Sequence, residues 1–233
     1  MVSVRLICFD TETTGLDFST GDRVIEIGCV EIIGREKSGN EFQTYINPEG
    51  KDISKEAQEI TNISPEQLSE APKFKDIADK FIDFVKGAEL VIHNAEFDVG
   101  FINNELNKIK HQVSDIRDIC TVFDTLVHAR KAFPGQRNNL DALSNRLGIS
   151  GYDRTHHGAL LDAQILADTY LSLTGGQVTF NLAENITNSN TEEDKLQKSN
   201  LQFIKFSSNN KDELEHNKFT EMMAERREKE ANR

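Results

Sequence analysis

The apolar positions of the first 175 residues form short runs and helical repeats separated by polar turns. Short apolar runs, which are typical of strands, occupy 4–10, 23–33, 42–46, 90–93 and 119–122. Repeats at three- and four-residue spacing, which are typical of helices, occupy 54–60, 64–68, 74–86, 95–109, 123–132, 137–147 and 158–173. The first three strands follow one another directly, so they predict an antiparallel meander, and the later alternation of strands and helices predicts an α/β fold.

The first apolar run ends in two carboxylates, Asp10 and Glu12, one residue apart. Side chains at i and i+2 of a strand leave the same face, so these two are expected to point together. They repel each other unless a cation lies between them or one takes up a proton, and a divalent metal ion is the simplest remedy. The alternative, two solvated residues in a turn, is the commoner interpretation of an isolated Asp-x-Glu.

Two further stretches favour the metal. Asp98 lies just after the apolar run at 90–93, and Asp162 lies inside a helix that is apolar on most faces. A buried ionised aspartate is costly without a partner, so Asp162 is a second indication of a cation. Asp124, by contrast, is expected to cap a helix, and His93 to be a hydrogen-bonded core residue.

Composition indicates a soluble globular protein of 233 residues, with 37% hydrophobic and 28% charged residues. No apolar run approaches a membrane span and no signal-peptide pattern is present, so we expect a cytoplasmic protein without membrane association. The three cysteines have no metal-binding spacing and are expected to be reduced core thiols.

The net charge of −12 argues against a protein that holds nucleic acid by itself, because Lys and Arg supply most non-specific affinity. Residues 174–233 carry nine basic and eleven acidic side chains, which leaves about −10 on residues 1–173. Bound metal ions are therefore expected to offset the local charge, and a partner protein to hold any nucleic-acid substrate.

Three motifs occur in order: D-x-E at Asp10 and Glu12, H-N-x-x-F-D ending at Asp98, and H-x-x-x-x-D from His157 to Asp162. This set resembles the DEDDh family of 3′→5′ exonucleases. The similarity is greatest to the proofreading subunits of bacterial replicative polymerases, through D-T-E-T-T-G-L, F-P-G-Q-R-N-N-L-D-A-L and H-G-A-L-L-D-A-Q-I-L-A, and it covers about residues 3–182. It implies a ribonuclease H-like fold with a mixed five-stranded sheet flanked by helices.

The resemblance also implies the chemistry. Asp10, Glu12, Asp98 and Asp162 would hold two Mg²⁺ or Mn²⁺ ions, for which hard oxygen ligands are suited. His157 would be the base for the attacking water, while the adjacent His156 would face solvent. The product would be a 5′-mononucleotide released from a 3′ end of DNA.

For the substrate, the resemblance implies contacts from Glu12, Asp162 and Glu56. Thr61 stands where a histidine is expected, which leaves open how the terminal sugar is held. A solvated Glu56 on a surface helix is the alternative interpretation of that residue.

The composition predicts three parts: an exonuclease domain at 1–174, a linker at 175–200 and a tail at 201–233. Gln177, Phe180 and Leu182 resemble a peptide that binds a sliding clamp. The apolar residues of the tail need a partner, and the family implies the polymerase catalytic subunit; the alternative is that the tail packs on its own domain. A small accessory subunit is a further possible partner.

Two other functions share some of these features. A stand-alone 3′→5′ exoribonuclease would carry the same motifs, although the clamp-like peptide and the tail disfavour it. A catalytically inactive adaptor between polymerase and clamp would need neither the four carboxylates nor the histidine, and their presence disfavours that function.

Overall fold

A computed structural model of the chain describes residues 4–153 and 155–175. The expectations for the clamp-like peptide, the linker and the tail fall outside the described residues. None of the helices in the described part is long and apolar enough to cross a membrane.

Five strands form one mixed sheet in the order β3-β2-β1-β4-β5. Their bounds are β1 Arg5–Thr13, β2 Val24–Ile33, β3 Glu36–Tyr45, β4 Glu89–Ile92 and β5 Thr121–Asp124. The first three strands pair antiparallel, whereas β4 is parallel to β1 and β5 is parallel to β4. The predicted meander and mixed sheet are therefore confirmed.

Seven α-helices accompany the sheet in the described residues. They are α1 Lys55–Thr61, α2 Pro65–Ser69, α3 Phe74–Val85, α4 Ala95–Lys108, α5 Thr125–Ala132, α6 Leu140–Arg146 and α7 Ala159–Gly175. Two of the expected starts are displaced because side chains cap the helices: Asp124 accepts from the backbone of α5, and Asn139 from that of α6.

Alternate residues of β1 enter two different cores. Ile7 and Phe9 pack in the cluster that contains α3 and α4, whereas Leu6 and Cys8 pack in the cluster that contains α7. Helices therefore cover both faces of the sheet, as predicted, and period-2 alternation places Asp10 and Glu12 on the α7 face. All three cysteines are free and buried, which confirms the expected core thiols.

Two strand boundaries differ from the sequence pattern. β3 begins at Glu36 rather than at residue 42, because an edge strand with exposed side chains from 36 to 41 carries no apolar signal. β1 continues to Thr13, so Asp10 and Glu12 lie within the strand rather than after it. Backbone pairing with β2 therefore holds both residues in place.

Candidate active site and metal centre

Strand β1 supplies the first two carboxylates. In the register with β2, Asp10 lies opposite Gly28 and Glu12 opposite Glu26. Both side chains are partly exposed at the end of an otherwise buried run. The strand is thus fixed by its core residues while its carboxylates reach the open side.

Helix α7 and the residue before its first turn supply the next two groups. Ligand atoms of Glu12, His157 and Asp162 all lie within 4.8 Å of one another. The Nδ1 atom of His157 lies 3.0 Å from Oδ2 of Asp162, whose side chain is buried. The backbone amide of His157 donates to the carbonyl of Ile60 (2.9 Å), so the histidine is anchored to the end of α1.

Asp98 lies in the first turn of α4 and is buried. Its Oδ1 accepts from the backbone amide of Thr11 (3.0 Å) and from the Thr11 hydroxyl (2.7 Å). Burial raises the pKa of Asp98 to about 7, although these two hydrogen bonds favour the charged form. Without a cation nearby, a substantial fraction of this carboxyl group is therefore protonated near neutral pH.

The predicted site residues thus fall into two groups. Glu12, His157 and Asp162 form one close cluster, and Asp10 shares a strand face with Glu12. Asp10 and Asp98 lie outside that cluster of mutually close atoms. Asp98 nevertheless contacts Thr11, the residue between the two β1 carboxylates, so all five lie around one end of β1.

The expectations for the neighbouring residues are confirmed. Asp124 is a cap: it accepts from the amides of Leu126 and Val127 in α5, and also from Ala95 (3.0 Å) at the start of α4. His93 is a hydrogen-bonded, partly buried residue whose Nδ1 lies 2.9 Å from the Thr125 hydroxyl. His156 is exposed.

Sequence reasoning missed the residues that hold α7. Glu26 is buried, and its Oε2 accepts from the amide of Ala159, the first residue of α7 (3.1 Å). Its Oε1 accepts from the side-chain amide of Gln43 (2.7 Å). Burial and the charge of Asp162 raise the pKa of Glu26. A charged residue inside the apolar run V-I-E-I-G-C-V was the available signal.

Gly28 is the second residue missed. A Cβ atom there would lie 2.1 Å from the backbone carbon of Ala159 and 2.2 Å from the nitrogen of Leu160. Since neither backbone atom can move without the helix, glycine allows α7 to approach β2 closely. Glu26 and Gly28 together set where the first turn of α7, and hence Asp162, lies relative to β1.

An open cavity of about 580 Å³ adjoins the carboxylates. Its lining includes Glu12, Glu56 and Thr61 with the apolar side chains of Ile60 and Phe97. Of the residues expected to contact substrate, these three therefore face one space. The Thr61 hydroxyl, however, donates to the carbonyl of Ala57 (2.9 Å) in its own helix.

The donor set fits a hard divalent cation. The candidate ligands are carboxylates, one of them buried beside an imidazole, and Cys8 and Cys29 are core residues that face away from solvent. Burial raises the pKa of both thiols, so they offer no thiolate ligand. Oxygen-rich sites of this kind suit Mg²⁺ or Mn²⁺ better than zinc.

Comparison with known proteins identifies the class. A match to the exonuclease family extends over residues 7–170. The chain belongs to the exonuclease family and is a divalent-metal-dependent 3′→5′ exonuclease.

Relatives within this class define the family more narrowly. DNA polymerase III subunit epsilon of Salmonella typhimurium is 47% identical over 183 residues, which cover 77% of this chain and 75% of the relative. The Haemophilus influenzae protein of that name is 50% identical over 177 residues, covering 74% and 68%. That of Buchnera aphidicola is 43% identical over 231 residues, covering 95% and 98%. The chain therefore belongs to the family of DNA polymerase III epsilon subunits.

Solved structures show the same fold. The nuclease domain of 3′hExo, a DEDDh family member bound to rAMP, has a TM-score of 0.61 at 19% identity over 75% of this chain and 94% of that one. Exonuclease X in complex with 5′ overhanging duplex DNA has a TM-score of 0.55 at 23% identity over 75% and 92%. The expected ribonuclease H-like exonuclease fold is thereby confirmed.

Proposed function

We propose that this exonuclease is the proofreading subunit of a bacterial replicative DNA polymerase and removes mispaired nucleotides from the 3′ end of DNA. The observation that carries the proposal is the close cluster of Glu12, His157 and Asp162 beside Asp10 and Asp98, in a chain of the epsilon family. An inactive adaptor would have no use for a buried carboxylate paired with an imidazole.

The proposal also specifies the number and kind of metal ions. Asp10, Glu12, Asp98 and Asp162 would hold two Mg²⁺ or Mn²⁺ ions, which supply Lewis acidity for in-line attack on a phosphodiester. Asp98 loses its proton when a cation offsets the cost of the buried charge. Metal binding should therefore release a proton near neutral pH.

His157 acts on the attacking water. Contact between its Nδ1 and Asp162 fixes the orientation of the imidazole, which is the group that would accept the proton of the water. Its backbone bond holds the residue beside Ile60, which lines the large cavity where a terminal nucleotide would lie. The protein thus orients the base before substrate arrives.

The large cavity would hold that nucleotide. Ile60 and Phe97 offer apolar surface to a base, while Glu12 and Glu56 offer acceptors to sugar hydroxyls. Because the Thr61 hydroxyl already bonds within α1, we propose that Thr61 shapes the cavity and contributes little to binding the sugar.

The remaining partners concern residues outside the described part. We propose that residues 201–233 bind the polymerase catalytic subunit. We also propose that Gln177, Phe180 and Leu182 belong to a clamp-binding peptide. The match to the Buchnera relative supports a role for the tail, since it covers 95% of this chain. A small accessory subunit is a weaker proposal, carried by the family resemblance.

The test compares a 3′-mispaired DNA primer with an RNA of the same sequence in Mg²⁺. We expect release of 5′-mononucleotides from DNA, a loss of about 10²–10⁴-fold in His157→Ala, and near-normal activity in His156→Ala, the matched control. Faster degradation of RNA would favour the stand-alone exoribonuclease. Equal activity of the two histidine variants would contradict the role of His157.

A further inference from the structure

A basic stretch lies beside the active site of this acidic domain. Residues 125–140 contain Arg130, Lys131 and Arg137 and no acidic residue, although the chain has a net charge of −12. The stretch comprises helix α5, the following loop and the start of α6. A local excess of positive charge suits phosphate groups.

Part of this stretch lines a second open cavity of about 530 Å³. Arg130 is on its wall, together with the amide side chains of Asn94, Gln136 and Asn139. Among the described residues that line it, none is acidic. A guanidinium with nearby amide donors is a usual environment for phosphate oxygens.

Arg130 is available for a ligand. It is exposed, and none of the salt bridges within residues 4–153 and 155–175 includes it. By contrast, Arg5, Arg23 and Arg117 each contact a glutamate. Arg130 lies in the last turn of α5, at the negative end of the helix dipole, which does not attract an anion. The guanidinium itself must therefore supply the attraction for a phosphate.

The loop that forms the rest of the cavity is held rigidly. Arg146 donates to Oδ1 of Asn138 (3.0 Å) and to the carbonyl of Arg137 (2.7 Å), and its guanidinium lies 4.7 Å from the ring centre of Phe133. The buried Asn138 in turn donates to the carbonyl of Phe133 (3.1 Å). The cavity is therefore formed before a ligand arrives.

The cavity also lies near one candidate ligand, Asp98, because both are placed by the start of α4. Asn94 lies on its wall and precedes α4, and Asp98 lies one turn further on, about 6 Å along the helix axis. Asp124 accepts hydrogen bonds from backbone amides at the starts of both α4 and α5, so it fixes the helix that carries Asp98 relative to the helix that carries Arg130. The larger cavity adjoins the same turn of α4 through Phe97, and the two cavities share no lining residue.

We propose that Arg130 and the neighbouring amides bind a phosphate of the substrate strand on the 5′ side of the bond that is cleaved. The proposal rests on the proposed function: with the terminal nucleotide in the larger cavity and the cleaved bond at the carboxylates, the strand continues past Asn94 toward Arg130. The acidic domain thus contacts a phosphate of the substrate strand directly, while the polymerase binds the duplex.

The experiment compares two substrates for Arg130→Gln and for Lys131→Gln, a neighbouring exposed lysine that does not line the cavity. One substrate is a short single-stranded DNA. The other is the p-nitrophenyl ester of thymidine 5′-monophosphate, which has a bond to cleave but no phosphate upstream of it. For DNA, Arg130→Gln should raise KM about tenfold with little change in kcat. It should also reduce the slope of log KM against log salt by about 0.7.

Ester hydrolysis and inhibition by thymidine 5′-monophosphate should be unchanged in Arg130→Gln. Lys131→Gln, which removes a charge outside the cavity, should raise KM for DNA by less than about threefold. An unchanged KM for DNA, or equal effects of the two substitutions, would overturn the proposal. Weaker inhibition by the mononucleotide would also overturn it, by assigning the cavity to the product. If the wild type degrades RNA and not DNA, the proposed function fails, and the same KM comparison on RNA still tests the cavity.

Discussion

The two helix starts that flank β1 hold their carboxylates in different ways. At α7, Asp162 contacts His157 within the close cluster, and the helix rests on Glu26 and Gly28 of β2. At α4, Asp98 is bonded to Thr11 and its pKa is raised to about 7. One half of the site is thus fixed by protein contacts, whereas the other half carries a buried carboxyl group whose charge needs a cation.

Among substitutions outside the candidate ligands and His157, the largest effect on activity is expected from Gly28→Ala. The added methyl group would force the backbone of Ala159 and Leu160 away from β2, and a displacement of about 1 Å at a catalytic group can cost about 10²-fold in rate. We expect a loss of at least about 10²-fold in kcat, measured on single-stranded DNA. Val30→Ala, in the same strand, is the control: it should lower the melting temperature yet retain activity. Equal activity losses in both variants would contradict the specific role of Gly28.

A smaller effect is expected from Glu26→Gln. The substituted side chain keeps one acceptor oxygen, so it cannot accept from both Ala159 and Gln43. We expect about a tenfold loss in kcat with little change in KM, and a loss of stability of about 1–2 kcal/mol. Gln43→Glu in the Glu26→Gln background restores a complementary pair and should recover stability. A KM effect without a kcat effect would contradict a positioning role.

Asp98→Asn should have opposite effects on activity and stability. It removes a proposed metal ligand and should therefore abolish activity, but it also removes a buried acidic group. Because the folded pKa of about 7 exceeds the ordinary value near 3.8, the folded state binds more protons between these values, and the metal-free wild type loses stability as pH rises through that window.

Chemical denaturation in EDTA measures this difference. At pH 8 the variant should be more stable than the wild type by about 2–4 kcal/mol, and the gap should narrow as pH falls toward 5. Asp83→Asn, at an exposed aspartate, is the control, and its stability difference from the wild type should not change with pH in this way. A gap that is constant with pH would show that the Asp98 pKa is not raised.

The smallest effect is expected at the cavity wall. Thr61→Val removes the hydroxyl that bonds to Ala57, which should cost about 1 kcal/mol in stability and change KM by less than about threefold. Thr61→Ser should be neutral in both measurements. A tenfold rise in KM for Thr61→Val alone would show that the hydroxyl contacts the substrate.

Local sequence signals were sufficient for most of the fold. The alternation of residues in β1 and the apolar surface of α7 predict both elements, and the spacing of two predicts that Asp10 and Glu12 share a face. The sequence pattern predicts too short a strand β3, because the first residues of this edge strand are exposed and therefore carry no apolar signal. The motifs, with the family resemblance, predict the carboxylates and His157 as the candidate site.

The residues that position the site were not predictable in the same way. Glu26 accepts from an amide 133 positions away, and Gly28 matters because of a helix that crosses it. Thr11 likewise bonds to Asp98 across 87 positions. Such contacts depend on how distant elements pack, and a hydrophobic pattern reports only that a strand is buried.

The most direct test of the account is a crystal structure with Mn²⁺ and a 3′-terminal mononucleotide, with the ions located by anomalous scattering. The account predicts ions held by Asp10, Glu12, Asp98 and Asp162, with His157 facing the phosphate and bound to no ion. An ion held by His157 in place of Asp98, or carboxylates that remain apart without any ion, would contradict it.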